Sequence, residues 1–299
     1  MGLGRVVRGA GQLGGAGLAD VGANLGRVAG RLSGGRIGSD VQIKSRGEVE
    51  AMRAAGLVVA TTLARVGAAA VPGASTADLD ALAESTIREA GAVPSFLGYH
   101  GFPGSICASL NAEVVHGIPR SSTVLVEGDL LSLDCGAILD GWHGDSAVTV
   151  SIGTPAPGDA ELSAACRAAM WAGIAEVRPG NRLGDVSHAV EAEARRHRGP
   201  AGEAFGIVED YGGHGIGTEM HMEPFLPNLG RAGTGPRLRE GMVLAVEPML
   251  TAGVAETEEL DDEWTVVTAD GARAAHWEHT VAVTEAGPWV LTAGEEADS

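Results

Sequence analysis

The chain has 299 residues, enough for one large or two ordinary domains. Its hydrophobic content of 44% is that of a globular protein, and with aromatics at 4% the core must lean on Val, Leu, Ile and Ala. A formal charge of −18, from 21 basic and 39 acidic side chains, speaks against a nucleic-acid-binding face and suits a protein that handles cationic groups or metal ions.

Residues 1–40 differ from the rest: roughly one in three is glycine, and they carry five arginines. Glycines interrupt every apolar run, so a secretory segment is not expected and an isolated helix would be weak. Two readings stand for this stretch. It is a disordered basic extension, with the ribosome's acidic surface as a conceivable partner, or an upstream start assigned in error, with the protein beginning near Val41.

Ser45 and Glu48 form a capping-box pattern. Val49, Met52, Val59, Leu63 and Val66 then recur at helical spacing. "VPGASTADLDALAESTIREAG" predicts a turn and a second helix closed by Gly91. The three cysteines Cys107, Cys135 and Cys166 form no CxxC pair, which argues against a disulfide framework and fits a reducing cytoplasm.

Strand material follows in "TVLVEGDLLSLDCGAILDGWHGDSAVTVSIG". With a four-residue loop at residues 138–141, Ala137 pairs with Trp142 and Asp134 faces Asp145. Two carboxylates so placed must share a proton, bind a cation or, on an exposed hairpin, face water; the apolar run before Asp134 disfavours the last.

The order then repeats. A helix is expected over Ala160–Val177, then a turn and helix in "RPGNRLGDVSHAVEAEA". Pro72-Gly73, Asp78 and Glu84 align with Pro179-Gly180, Asp185 and Glu191 at a constant offset of 107 residues. Internal duplication and coincidence both remain open from spacing alone. Strand runs return at "GMVLAVEPML", "WTVVTADG", "ARAAHWEHTVAVT" and "PWVLT". No uninterrupted apolar run approaches the roughly 20 residues that span a bilayer, so no membrane partner is expected. Two helix-pair-plus-sheet halves predict an α+β fold with a site between them.

Glu247 ends the apolar run "MVLAVE", and Glu278 lies in "AHWEHTVAV". "YGGHGIGTEMHMEP" holds His214 and His221 among four glycines, either as surface histidines on a loop or as functional groups in a backbone folded around a site. Asp134, Asp145, His214, Glu247 and Glu278 make a candidate set of four carboxylates and one imidazole, too many for one tetrahedral ion. Such ligation suits Mn, Fe(II) or Co, and Zn less exclusively, and four acids balance two divalent cations.

"HGIP" at 116–119, "LDCG…HGDSA", "GGHGIGTEMHMEP", "VEPML" and "WEHTVAVTEAG" resemble, in order, type I methionine aminopeptidase, over residues 41–295. The resemblance implies the pita-bread fold, with pseudo-symmetric helix-pair-plus-antiparallel-sheet halves around a dinuclear metal site, and leaves 296–299 as an acidic tail. It places the five candidate residues on the metal ligands, His221 and His116 on substrate-contacting catalytic histidines, and Glu247 on a ligand that also relays a proton. The glycines are then expected to let the chain approach the metals closely.

A methionine pocket carries over as Tyr99, Phe102, Cys107, Met220 and Trp264, an apolar lining suited to a thioether. Phe102 and Met220 stand where many relatives carry tyrosine and phenylalanine, and Phe96 where some carry cysteine, which leaves fine selectivity open. The implied reaction is removal of the N-terminal methionine from newly made polypeptides, favouring a small second residue, by a cytoplasmic monomer. The alternatives are an Xaa-Pro aminopeptidase or prolidase of the same fold and a catalytically inactive binding protein.

Overall fold

The computed structural model describes residues 41–294; the basic extension at 1–40 and the acidic tail at 296–299 lie outside the described residues. Helix α1 (Arg46–Ala69) opens on the expected capping box, with the Ser45 N–H donating to Glu48 Oε2 at 2.7 Å and the Glu48 N–H to Ser45 Oγ at 3.4 Å. All five predicted stripe residues of α1 are buried. Helix α2 (Thr76–Glu89) starts at a second box, Ser75 and Asp78, and stops just short of Gly91, whose φ of 77° is left-handed.

Strands β1 (Val93–Pro94), β2 (Ile106–Leu110), β3 (Glu113–Val115), β4 (Leu130–Leu139) and β5 (Trp142–Ser151) complete the first half. The second half opens with α3 (Asp159–Ala175), near the predicted bounds, and α4 (Leu183–Ala194). Strands β6 (Gly206–Ile207), β7 (Gly213–Gly215), β8 (Met222–Leu226), β9 (Val243–Val246) and β10 (Met249–Thr251) follow. The last are β11 (Thr257–Glu259), β12 (Val266–Thr268), β13 (Ala274–His276), β14 (Glu278–Thr284) and β15 (Gly287–Val290).

Two expected strand runs are broken. "GMVLAVEPML" divides at Glu247-Pro248, where proline has no N–H for a ladder. "ARAAHWEHTVAVT" divides at Trp277.

The main sheet pairs antiparallel in the order β1-β4-β5-β14-β9-β7-β8, with β2 added to β4 and β15 to β14. Helices α1 and α2 cover the first half and α3 and α4 the second, each over its own apolar core. By length and mean hydropathy α1 could cross a membrane, but its apolar stripe packs on β4 and β5, which makes it a core helix of this fold.

The duplication extends into the hydrogen bonds. The Gly73 N–H donates to Leu125 O and the Leu125 N–H to Ala74 O; the Gly180 N–H donates to Leu238 O and the Leu238 N–H to Asn181 O. Gly73 and Gly180 share φ near 95° and 93°, and Asp78 and Asp185 each accept from the N–H three residues before them. The two halves are pseudo-symmetric, as the pita-bread architecture requires.

The β4–β5 register corrects one expectation. Leu139 pairs with Trp142, so the turn has two residues, Asp140-Gly141, and Asp134 faces Ala147 while Asp145 faces Gly136. Asp140 and Gly141 both take positive φ, 50° and 82°, the conformation of a two-residue hairpin turn, for which Asp-Gly is a preferred pair. The expected pairing was off by two residues. Because strand side chains alternate with period two, the carboxylates still share a face as diagonal neighbours.

Candidate metal centre and active site

Asp134 stands on β4, Asp145 on β5, Glu278 at the start of β14, Glu247 directly after β9 and His214 on β7. These strands are consecutive in the sheet, so five neighbours each deliver one side chain to one place. All five line one cavity. His214 Nε2 lies 4.0 Å from Asp145 Oδ2 and 3.4 Å from Glu247 Oε1. Ligating atoms of Asp145, His214 and Glu278 fall within 4.8 Å of one another, as do those of Glu247, His276 and Glu278.

Burial pushes all four carboxyl groups upward, Asp134 and Glu247 to about 7, Asp145 and Glu278 well above the ordinary carboxylate range. Neighbouring carboxylates add to the rise at Asp134, Asp145 and Glu278. Asp134 Oδ1, Asp145 Oδ1 and Glu278 Oε1 are buried without a hydrogen-bond partner. A cluster of this kind is stable with protons or with cations, and its orphaned oxygens fit oxygen-seeking divalent ions. His214 completes the fit. Its Nδ1 lies 2.9 Å from Gly215 O, which can only accept, so Nδ1 carries a proton and Nε2 is the ring nitrogen aimed at the carboxylates, where it can serve as a ligand.

The glycines around His214 are required by the packing of the neighbouring strands. A Cβ at Gly213 would lie 2.2 Å from Ala245 O, and one at Gly215 would lie 2.2 Å from Glu223 O. They let β7 fit between the backbones of β8 and β9, and so bring His214 to the cavity; the close approach is to neighbouring strands.

His221 lies between β7 and β8, with its ring edge-on to His214 at a centroid distance of 4.4 Å. Its Nδ1 is 3.0 Å from the Tyr99 hydroxyl. Burial, then the neighbouring His214, hold His221 well below its ordinary value, so it is neutral near pH 7. His116 follows β3 at φ 60° and faces the same cavity; burial lowers it to about 4.

The expected pocket residues gather beside these histidines. Phe96, Phe102, Cys107 and Met220 form a buried apolar cluster with Tyr99 and Trp264 against it. Tyr99, Phe102, Cys107 and Met220 line the cavity, as does Phe96. Trp264 does not line it; its ring packs edge-on behind Phe102 at 5.1 Å.

One residue at the centre went unnoticed in the sequence. His276 lines the cavity, and its Nε2 is 3.5 Å from Glu247 Oε2. The signal was present: in an extended run, the residue two before Glu278 falls on the same face.

Buried carboxylates and an imidazole suited to divalent cations, set between pseudo-symmetric helix-and-sheet halves, define a metallohydrolase of the pita-bread class. Residues 50–285 match metallopeptidase family M24, and the chain belongs to that family. It is 59% identical over 268 residues to methionine aminopeptidase 1 of Mycobacterium tuberculosis (strain CDC 1551 / Oshkosh), an alignment covering 90% of this chain and 100% of that protein. The crystal structure of methionine aminopeptidase from Thermotoga maritima matches with a TM-score of 0.81 at 40% identity, covering 85% of this chain and 100% of that one. Prolidase from Pyrococcus furiosus matches at a TM-score of 0.65 with 20% identity over 66% of its length, a likeness of fold alone.

Proposed function

We propose that this chain removes the N-terminal methionine from newly made polypeptides, with Asp134, Asp145, His214, Glu247 and Glu278 holding two divalent cations drawn from Mn, Fe(II), Co and Zn. The observation that carries the reading is the convergence of these five side chains beside an apolar, sulfur-lined pocket. The 59% identity to a methionine aminopeptidase favours this substrate over Xaa-Pro peptides. The complete donor set favours an enzyme over an inactive binding protein.

When bound, the cations supply Lewis-acid polarisation and make water a usable nucleophile near neutral pH. Tyr99, Phe102, Cys107 and Met220 exclude water around an unbranched thioether side chain, and the acidic cluster attracts the substrate's free amine. His221 and His116, kept neutral by burial, hydrogen-bond the scissile carbonyl or the departing nitrogen as charge shifts. Glu247, on the cavity wall beside His214, is placed to take a proton and return it to the leaving amine.

Three free, buried thiols support a cytoplasmic setting, and a cavity complete within one chain supports a monomer. Residues 41–295 form the catalytic domain in this reading, and 1–40 are dispensable for short peptides; a truncated enzyme with collapsed kcat/KM at matched metal loading would refute that. The main test incubates Met-Ala-Ser, Ala-Ala-Ser and Xaa-Pro peptides with stripped protein reloaded with each metal. Release confined to methionine supports the reading. Release confined to Xaa-Pro peptides overturns it.

A further inference from the structure

His276 is 2% exposed, and its Nε2 has no hydrogen-bond partner. Leaving such a group buried and unpaired is destabilising, so its orientation calls for a partner. The backbone beneath it is firmly held. Thr149 Oγ1 accepts from the His276 N–H at 2.9 Å and donates to its carbonyl at 2.7 Å, while Met249 of β10 faces it across the ladder. Glu247 stands two residues before Met249, at the break between β9 and β10, which the Trp277 N–H spans by donating to Pro248 O at 3.4 Å.

Glu247 is thereby bracketed by two imidazoles, one for each oxygen: His214 Nε2 at 3.4 Å from Oε1 and His276 Nε2 at 3.5 Å from Oε2. If Oε1 serves a cation beside His214, Oε2 is left to accept from the donor that faces it, His276. An approach of roughly half an ångström would turn the His276 contact into an ordinary hydrogen bond of about 2.9 Å. We infer that His276 is a positioning residue: its Nε2–H donates to Glu247 Oε2 and holds that carboxylate in the orientation that binds metal. This inference rests on the metallopeptidase reading above. Donors outside the ligand set fix ligand orientation in this way, and their loss weakens metal binding without removing a coordination site.

The full-length protein is stripped and titrated calorimetrically with Mn²⁺ alone, comparing the wild type with His276→Gln and His276→Met. Glutamine reaches as far as histidine and keeps an N–H donor, whereas methionine fills similar space without one. The expected result is Mn²⁺ affinity lowered 10- to 100-fold in His276→Met, with the same number of ions at saturation and most of the affinity restored in His276→Gln. On Met-Ala-Ser, kcat should fall in His276→Met more than KM rises. Unchanged affinity in His276→Met overturns the proposal. Loss of an ion from both variants also overturns it and makes His276 a ligand. If His276→Met does not fold, weakened affinity in His276→Gln with an ion lost still refutes positioning, and near-normal affinity and stoichiometry support it. A wild-type protein that binds no Mn²⁺ and releases no methionine would instead bring down the underlying reading, and this proposal with it.

Discussion

His214 and His221 occupy one glycine-rich stretch, yet their rings are held differently. His214 gives its Nδ1 proton to a backbone carbonyl and turns Nε2 to the carboxylates, whereas His221 engages the Tyr99 hydroxyl through Nδ1. His214→Ala should therefore lose metal. His221→Ala should keep it and slow turnover by about 10²–10³, the cost of an oxyanion-type hydrogen bond, with kcat affected more than KM. Metal content and steady-state kinetics on the same preparations decide this; equal metal loss in both variants would make His221 a ligand. Asp134, Glu247 and Glu278 were legible in the sequence because each breaks an apolar strand run, and Asp145 because the hairpin brings it to Asp134. His276 was not, because a lone histidine in a strand is ambiguous until Glu278, two residues on, is placed on the cavity face. Trp264 packs against Phe102 of the pocket cluster, and sequence order does not distinguish a pocket wall from what supports it.

At the scale of elements, helix caps and apolar stripes were readable because they depend on local contacts. The hairpin register was misjudged by giving Asp140-Gly141 a longer loop than its left-handed conformation needs. The strands that press on the glycines of β7 are distant in sequence, so this packing was not legible there. The same close packing recurs behind Asp145. A Cβ at Gly144 would lie 2.8 Å from Gly56 N and 2.9 Å from Gly56 Cα, on α1. Backbone cannot yield as a side-chain tip can, so Gly144→Ala should destabilise the protein by about 1–3 kcal/mol. Because Asp145 is the next residue, metal affinity should fall as well. Denaturant unfolding of the metal-loaded variant checks this, and an unchanged midpoint would show that α1 moves aside freely.

For the whole molecule, the carboxylate cluster couples stability to pH and metal. With Asp134 and Glu247 raised to about 7, and Asp145 and Glu278 also raised well above the ordinary carboxylate range, the metal-free folded state binds more protons than the unfolded chain above that range. Stability then falls as pH rises through 7. The buried histidines His116 and His221 are shifted downward and contribute the opposite slope, but that slope ends near their ordinary value of about 6.5. The clean window is therefore about pH 6.5 to 8, where divalent cations replace protons that are being lost. The Tm gap between Mn²⁺-loaded and chelated protein should widen across that window. A constant or narrowing gap would mean that the cluster does not titrate on metal binding.

The central claim is that side chains from five consecutive strands form one two-ion centre, and anomalous diffraction from crystals of the Mn²⁺-loaded protein tests it most directly. The account predicts two peaks within this cavity. Asp134, Asp145, His214, Glu247 and Glu278 should supply the protein ligands, and Asp145, His214 and Glu278, whose ligating atoms lie within 4.8 Å of one another, would hold one ion together. No peak among these side chains, or a single ion held without His214, would contradict it.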